Sequence, residues 1–474
     1  MELKVHDQEI LLQKLWKSQK LSQELHTTTG QKIEVLFAGR ENLDSGPDFK
    51  DAVIKIDDQI LKGDIEVHLQ ESGWYDHGHH QDPRYNQVVL HLISEPTEKD
   101  SLITREDGVR VVQLQIESAE LKSTLWKSKR EEKSPSHLSP KIVESCPLSQ
   151  EEPRKILATV EGAGYFRFLQ KVEQMREGSS SHSWDHLIYK KICESLGYSK
   201  NQKPFRKLAD ALPYEQVRSE MQWSEAELAK KKSAALLYGA AGLLPHQSQI
   251  QLPILDAEVL DYIAPLEYLW NQISHRLKMK PMMAQEWQFF RLRPQNFPTR
   301  RIAGVVDLLV RFHREGFLQG FLKIVQGESK SLDKIVGELE SVLIVKEVGF
   351  WSHHYQFHDT KRPNRQEPTL IGKDRAREII VNAILPVLYL YSQESREGVL
   401  ANRIRELMTR YPKLPANSIT RTMKNQLFRF NKQKSRAIKS AVQQQGLIEL
   451  FKMYCKPLRC TECLRIVDET NVSD

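Results

Sequence analysis

Residues 60 to 69, Ile-Leu-Lys-Gly-Asp-Ile-Glu-Val-His-Leu, constrain the chain more than any other stretch. Successive side chains of a strand point to opposite faces. Ile65, Val67 and Leu69 therefore share one face, and Asp64, Glu66 and His68 share the other. The apolar face needs a core to pack on. The other carries two like charges and an imidazole in a row, which repel each other and resist unpaired burial. A solvated edge strand is one way out. A divalent cation is the other, since hard cations take carboxylate oxygens and keep waters free for a substrate.

The preceding segment bears on that choice. Ala52–Ile56 reads as a strand, and Asp57-Asp58 turns it into the next one. Asp48 follows Pro47 at its entrance, eighteen residues before Glu66. Two antiparallel strands joined by a tight turn bring Asp48 and Glu66 together. This spacing is similar to that of the PD-(D/E)XK nucleases, in which an Asp on one strand and an acid followed by a basic residue on the next hold a metal that activates water. The order of elements matches as well: a helix over 8–20, strands at 33–37, 52–56 and 60–69, a short helix, and strands at 88–94 and 111–116. The expected fold is a restriction-endonuclease-like α/β module (αβββαβ) followed by a large, mostly α-helical region. Mg²⁺ or Mn²⁺ is the expected ion, with Asp48, Glu66 and Asp64 as ligands. His68 stands where that motif has lysine and takes the place of base or water-orienting group. Lys62 is the other candidate, if the strand stays regular through Gly63. The stretch Trp74-Tyr75-Asp76-His77-Gly78-His79-His80, with His91 beyond it, offers His77 and His79 as further ligands or acids. A polar loop whose histidines cap a helix is the competing reading.

The domain boundaries follow composition. Residues 1–125 form the α/β module, and 126–150, charged and rich in Ser and Pro, form a linker. From 151 to 474 apolar residues recur every three to four positions, over 152–177, 184–196, 224–242, 256–277, 298–313, 332–344, 374–392, 396–410 and 418–443. The net charge of +7 is compatible with a DNA or RNA partner without requiring one. Seven basic residues and no acid lie between Arg421 and Lys439. Arg421, Lys424 and Arg429 are candidates for tracking a phosphate backbone, with Phe428 and Phe430 between them. A solvated face on a packed helix is the alternative. No apolar leader opens the chain, and Ile379–Tyr391 is too short for a bilayer, so no membrane contact and a cytoplasmic location are expected. The oligomeric state is open.

Of five cysteines, Cys455, Cys460 and Cys463 crowd the C-terminus at metal-binding spacing. Cys146 is the preferred fourth ligand of a zinc ion or [4Fe–4S] cluster, and Cys193, in an apolar helix, reads as core. The AddB-type nucleases resemble this pattern in closing a cluster with one distant cysteine.

The chain also resembles a bacterial family known only as a domain of unknown function. The resemblance rests on Asn42-x3-Gly46-Pro47-Asp48-Phe49, Gly63–His68, Trp74-Tyr75-x-His77-Gly78-His79-His80-x-Asp82, Val89-Leu90-His91, Leu236-Leu237-Tyr238-Gly239-x2-Gly242-Leu243, Phe290–Ala303, Asn382-x3-Pro386 and the closing cysteines. It implies that Arg291, Arg293, Asn296, Arg300 and Arg301 form one motif, whose arginines read first as phosphate ligands and otherwise as partners for acids in the α/β module. The function this adds up to is metal-dependent cleavage of nucleic acid. The alternatives are a catalytically inactive nuclease-fold protein that binds nucleic acid or acts as a scaffold, and a metal-dependent hydrolase of a small substrate.

Overall fold

In the computed structural model, residues 5–19, 24–42, 45–95, 102–116, 146–179, 183–247, 257–290, 292–327, 330–346, 349–357, 369–429, 431–457 and 459–463 are described. They divide into two units. The first comprises Met1–Ala163, Ala416–Ile438 and Gly446–Asp474, and the second Gly164–Pro415 and Lys439–Gln445.

The first unit is built on one mixed sheet. Helix α1 (Val5–Ser18) leads into β1 (Leu25–His26), β2 (Lys32–Phe37), β3 (Arg40–Glu41), β4 (Phe49–Ile56) and β5 (Gln59–Val67). A crossover containing α2 (Gly73–Asp76) and two short 3₁₀ turns leads to β6 (Val88–Ile93), β7 (Ile103–Thr104) and β8 (Arg110–Gln115). The sheet order is β1-β2-β4-β5-β6-β8-β7, with β3 beside β4. β2, β4 and β5 are antiparallel, whereas β5–β6 and β6–β8 run parallel. Parallel pairing forces the crossover, since strands running the same way cannot be joined by a tight turn. One sheet face carries Ile33, Val35, Ile54, Ile65 and Val67 and packs against Leu12, Leu15 and Trp16 of α1. The other carries Phe37 and Val53 and packs against Leu148, Ile156, Met423, Phe428, Leu447 and Phe451. Layers on both faces explain the consecutive buried apolar residues Ala52, Val53 and Ile54 of β4.

The second unit is helical. The helices Trp184–Leu196, Ala226–Ala240, Ala257–Leu277, Pro298–Phe312, Leu332–Leu343 and Gly398–Arg410 fall where the three-to-four periodicity puts them. The run at 374–392 continues through Lys373–Ile379, a π turn at Ile380–Ile384 and Leu385–Glu394. The wider π turn absorbs Pro386, whose ring cannot fit a regular turn. Cys193 is fully buried in the core of this unit, as expected.

Two expectations are corrected. The helical region from 151 to 474 does not form one unit, because Ala416–Ile438 and Gly446–Asp474 group with the sheet, whose second face is covered by Met423, Leu427, Phe428, Ile438, Leu447, Leu450 and Phe451 among the described residues. The basic stretch 418–443 is not one helix either. It breaks after Ser418–Leu427, resumes briefly at Lys432–Ser435 and again at Ala441–Leu450, with Arg429 at a φ of 47°. A left-handed residue interrupts a helix because its backbone leaves the i to i−4 ladder. Residues 117–145, most of the expected linker, lie outside the described residues. Among the described residues no helix is long and apolar enough to cross a membrane.

Candidate metal centre

The β4–β5 hairpin does what the spacing implies. Phe49 pairs with Ile65, so Asp48 and Glu66 sit side by side at the ends of their strands. The Asp48 amide donates to Glu66 Oε2 (3.0 Å), and the Val67 amide donates to Asp48 Oδ2 (3.1 Å). Both carboxyls are pushed up to about 8. Burial is the main cause for each, and Glu66 adds to the effect at Asp48. Two residues of α1 that sequence reasoning passed over face them. Gln13 hydrogen-bonds Asp48, and Glu9 raises both acids further. Their i, i+4 spacing on one helix face was the available signal, but only the fold shows what that face meets.

Asp64 plays a different part from the one expected. Its Oδ2 accepts from Lys50 Nζ (2.7 Å) and its Oδ1 from the Asp51 amide (3.0 Å). A bulge between Phe49 and Ala52, with Asp51 at a φ of 59°, turns these partners toward it. Both Asp64 oxygens are thus engaged by the protein's own donors. Lys62 does not reach the site: its Nζ donates to the Pro457 carbonyl (3.0 Å). Lys50, one strand earlier, is the lysine beside these acids, and its charge also acts on Glu66.

The imidazoles complete the centre. The ligand nitrogens of His68, His77 and His79 all lie within 4.8 Å of one another. His68 Nε2 is 3.1 Å from His77 Nδ1 and 3.7 Å from Glu66 Oε1. His79 Nε2 is 3.2 Å from the same Glu66 oxygen, yet has no hydrogen-bond partner. Glu66 Oε2 is engaged by the Asp48 amide, so Oε1 is the oxygen turned to the rings. His68 is 2 % exposed and Glu66 5 %, whereas His77 opens to solvent. Burial lowers His68 steeply and draws His79 down to about 4 and His91 to about 3. All three are neutral at physiological pH, which is the form that binds metals.

Two glycines make this cluster possible. A Cβ on Gly73 would meet the His68 ring at 2.8 Å, so only glycine lets α2 pass so close. Gly78, at a φ of 72°, reverses the chain between His77 and His79 and turns both rings the same way. Trp74, fully buried, fixes the crossover by donating from its indole to the Thr104 carbonyl (3.0 Å), and Tyr85 stacks on His79 at 3.8 Å. The helix cap in this stretch is Asp82, which accepts from the Arg84 amide, rather than a histidine.

A buried relay stands behind His68. Its Nδ1 is 2.9 Å from His91 Nε2, and His91 Nδ1 is 3.4 Å from Gln113 Nε2. Glu66, His91 and Gln113 are register partners across β5, β6 and β8. Gln113 Oε1 has no partner in this orientation. Turning the amide over lets Oε1 accept from His91 Nδ1–H. His91 Nε2 then accepts from His68 Nδ1–H, and the His68 Nε2 lone pair points into the cluster. Amide orientation is set by such networks, and an outer hydrogen bond of this kind fixes the tautomer of a metal-binding histidine.

The remaining expected residues lie elsewhere. Arg300 and Arg301 are not phosphate ligands. They are buried, and Arg300 Nη1 donates to the carbonyls of Trp351 and His354. Arg301 donates to the Leu370 carbonyl, to the Tyr198 hydroxyl (2.9 Å) and to Asn296 Oδ1 (2.5 Å). They tie the first turn of Pro298–Phe312 to neighbouring segments. Arg293 is exposed, and Arg291 and Phe430 lie outside the described residues. Arg421 and Arg429 are exposed and Lys424 is half-buried, while Phe428 is buried and cannot stack on a base. Cys146, Cys455, Cys460 and Cys463 line one cavity of the first unit.

Fold and site together describe a class: a mixed-sheet unit with a buried carboxylate–imidazole cluster, followed by a helical unit. The family model described as a protein of unknown function (DUF2851) matches residues 9–417, and the chain belongs to that family. The closing cysteines lie beyond the matched residues. Compared with curated proteins and with solved structures, the chain matches none.

Proposed function

We propose that the protein is a metal-dependent phosphodiester hydrolase acting on DNA or RNA, with its centre at Glu66, Asp48, His68, His77 and His79. One observation carries the reading. The ring nitrogens of His68, His77 and His79 lie within 4.8 Å of one another, with buried Glu66 Oε1 3.2 Å from His79 and 3.7 Å from His68 and buried Asp48 beside Glu66. Packing gives no reason to assemble such a set, because each carboxyl is held in its neutral form at a cost that ionic ligation would remove. The helix, antiparallel three-strand meander and parallel fourth strand support a restriction-endonuclease-like module around it.

A divalent cation held there would lower the pKa of a bound water and neutralise charge on the phosphate. The mixed nitrogen and oxygen donors favour Mn²⁺ over Mg²⁺, which prefers oxygen. Asp48 and Glu66 would supply the negative ligands. His68, its tautomer set by His91 and Gln113, would supply a nitrogen rather than act as the base. Lys50 would give the positive charge that the lysine position lacks. His77, exposed, stands on the solvent side, where substrate would enter. Arg421 and Arg429 would add backbone contacts that weaken in salt.

The test is cleavage of single- and double-stranded DNA and RNA by the full chain with Mn²⁺ or Mg²⁺. Cleavage that Glu66→Gln and Asp48→Asn each reduce by more than about 100-fold is expected. Binding of nucleic acid without cleavage, unaltered by either substitution, would assign the inactive, nucleic-acid-binding alternative instead.

A further inference from the structure

Four cysteines from separated stretches of the chain converge in the first unit. Cys146 precedes the turn Pro147–Gln150, Cys455 ends the π turn Phe451–Cys455, and Cys460 and Cys463 lie on the short turn that follows. They line one cavity of about 160 Å³, together with Leu36, Phe37, Val53, Leu148 and Phe451. All four are free thiols. The Cys146, Cys460 and Cys463 thiols all lie close enough to Cys455 to act on its ionisation. Burial first, and the neighbouring thiols second, hold Cys455 and Cys460 above the usual thiol range and push Cys463 up to about 12. A thiol is a weak hydrogen-bonding group, and apolar packing has no need of four in one place. Soft metals do.

The spacing separates the two kinds of centre that four cysteines serve. Tetrahedral zinc holds each sulfur at about 2.3 Å, which puts the sulfurs about 3.8 Å from one another. Among the described residues, no three of these sulfurs all lie within 4.8 Å of one another. In a four-iron cluster each cysteine binds a different iron, so the thiolates stand farther apart around a core that itself needs space. The cavity supplies that space, with Leu36, Phe37, Val53 and Phe451 on its inner side and Cys460 at its exposed edge.

We propose that Cys146, Cys455, Cys460 and Cys463 ligate a [4Fe–4S] cluster. The π turn contributes by widening the last turn before Cys455, with the Lys456 amide donating to the Phe451 carbonyl (2.8 Å) instead of one residue later. The cluster ties the turn after Cys146 to the C-terminal segment. That segment in turn braces the sheet, for Lys456 pairs with Asp51 and the Pro457 carbonyl accepts from Lys62. Asp51 holds Asp64 through its amide, so the cluster supports β4 and β5 where they carry the acids.

The experiment is anaerobic purification of the full chain with assay of iron, zinc and acid-labile sulfide, and a visible absorption spectrum. About four irons and four sulfides per chain, with a broad visible band, are expected. Cys146→Ser should drop both to under about one per chain, whereas Cys193→Ser should leave them unchanged. Sulfide separates this cluster from any iron held by the histidines. One zinc per chain without sulfide would overturn the proposal, as would full iron and sulfide in Cys146→Ser. If Cys146→Ser fails to fold, the metal-free wild-type chain is reconstituted anaerobically with equal amounts of ferrous and ferric iron and with sulfide. Recovery of the band supports the proposal, and its absence overturns it.

Discussion

Each unit buries charged side chains, and it handles them in opposite ways. In the helical unit, Arg300 and Arg301 are as deeply buried as Glu66, but each faces carbonyl, hydroxyl or amide oxygens that are already in place. In the sheet unit, Asp48 and Glu66 face each other and Glu9, burial keeps the His79 ring beside them neutral, and the nearby positive charge acting on Glu66 is the half-buried Lys50. A buried charge with fixed partners is a structural device. Buried acids that face one another, with only half-buried Lys50 near them, favour a cationic ligand. Burial alone does not distinguish these cases. The partners do.

The largest effect should come from breaking the satisfied side. Arg300→Ala removes donors from the Trp351 and His354 carbonyls and should cost about 3 kcal/mol of stability, read by denaturant unfolding. A nearly unchanged midpoint would show that the carbonyls find other partners and that the contrast is overdrawn. Glu66→Gln does the reverse. The metal-free protein should be no less stable, while Mn²⁺ affinity, measured by calorimetry, should fall by more than about tenfold.

The pH dependence sharpens the contrast. Asp48 and Glu66 have folded-state pKa values of about 8, raised above those of the unfolded chain. Between pH 4 and pH 8 the native state therefore holds more protons at these groups, and their contribution to stability declines as pH rises. His79 and His91 are depressed to about 4 and about 3, so their contribution is full above the unfolded value near 6.5 and is lost as pH falls through the folded values. In chelator, the thermal midpoint should pass through a maximum in the mildly acidic range and fall toward pH 8. Mn²⁺ should abolish the fall on the alkaline side. A midpoint that rises steadily to pH 8 without metal would show that Asp48 and Glu66 are not held in their neutral forms. The smallest effect is expected for Gln113→Leu, which should weaken Mn²⁺ binding by about tenfold through the loss of tautomer control at His68, with little change in fold.

Much of this is legible in local pattern. Period-2 alternation from Ile60 to Leu69 and the Asp57-Asp58 turn define the hairpin, and the eighteen-residue offset puts Asp48 beside Glu66. Three-to-four periodicity locates the main helices of the second unit. Local pattern does not encode what meets across the chain. Lys50 becomes the lysine of the site only because a bulge re-aims it, and Gln113 matters only because β8 lies parallel to β6. The arginines at 300 and 301 have the composition of a phosphate site, but their burial arises from segments some fifty to seventy residues away. Charge count at 421–439 predicts a basic helix, and the left-handed Arg429 that divides it carries no sequence signature.

The discontinuity of the first unit has a consequence for the order in which the chain matures. Its sheet is translated first, yet the segments that cover the second sheet face and complete the cysteine set come after residue 415. Synthesis at about 5–20 residues per second leaves an interval of tens of seconds in which the helical unit can emerge and pack while the sheet still lacks that cover. Phe37 and Val53 have only Leu148, Ile156 and Val160 to cover them during that time, and Cys146 waits for its three partners. A nascent chain halted at residue 415 should be selectively cleaved by protease within its first 160 or so residues, and release of the finished chain should end that sensitivity.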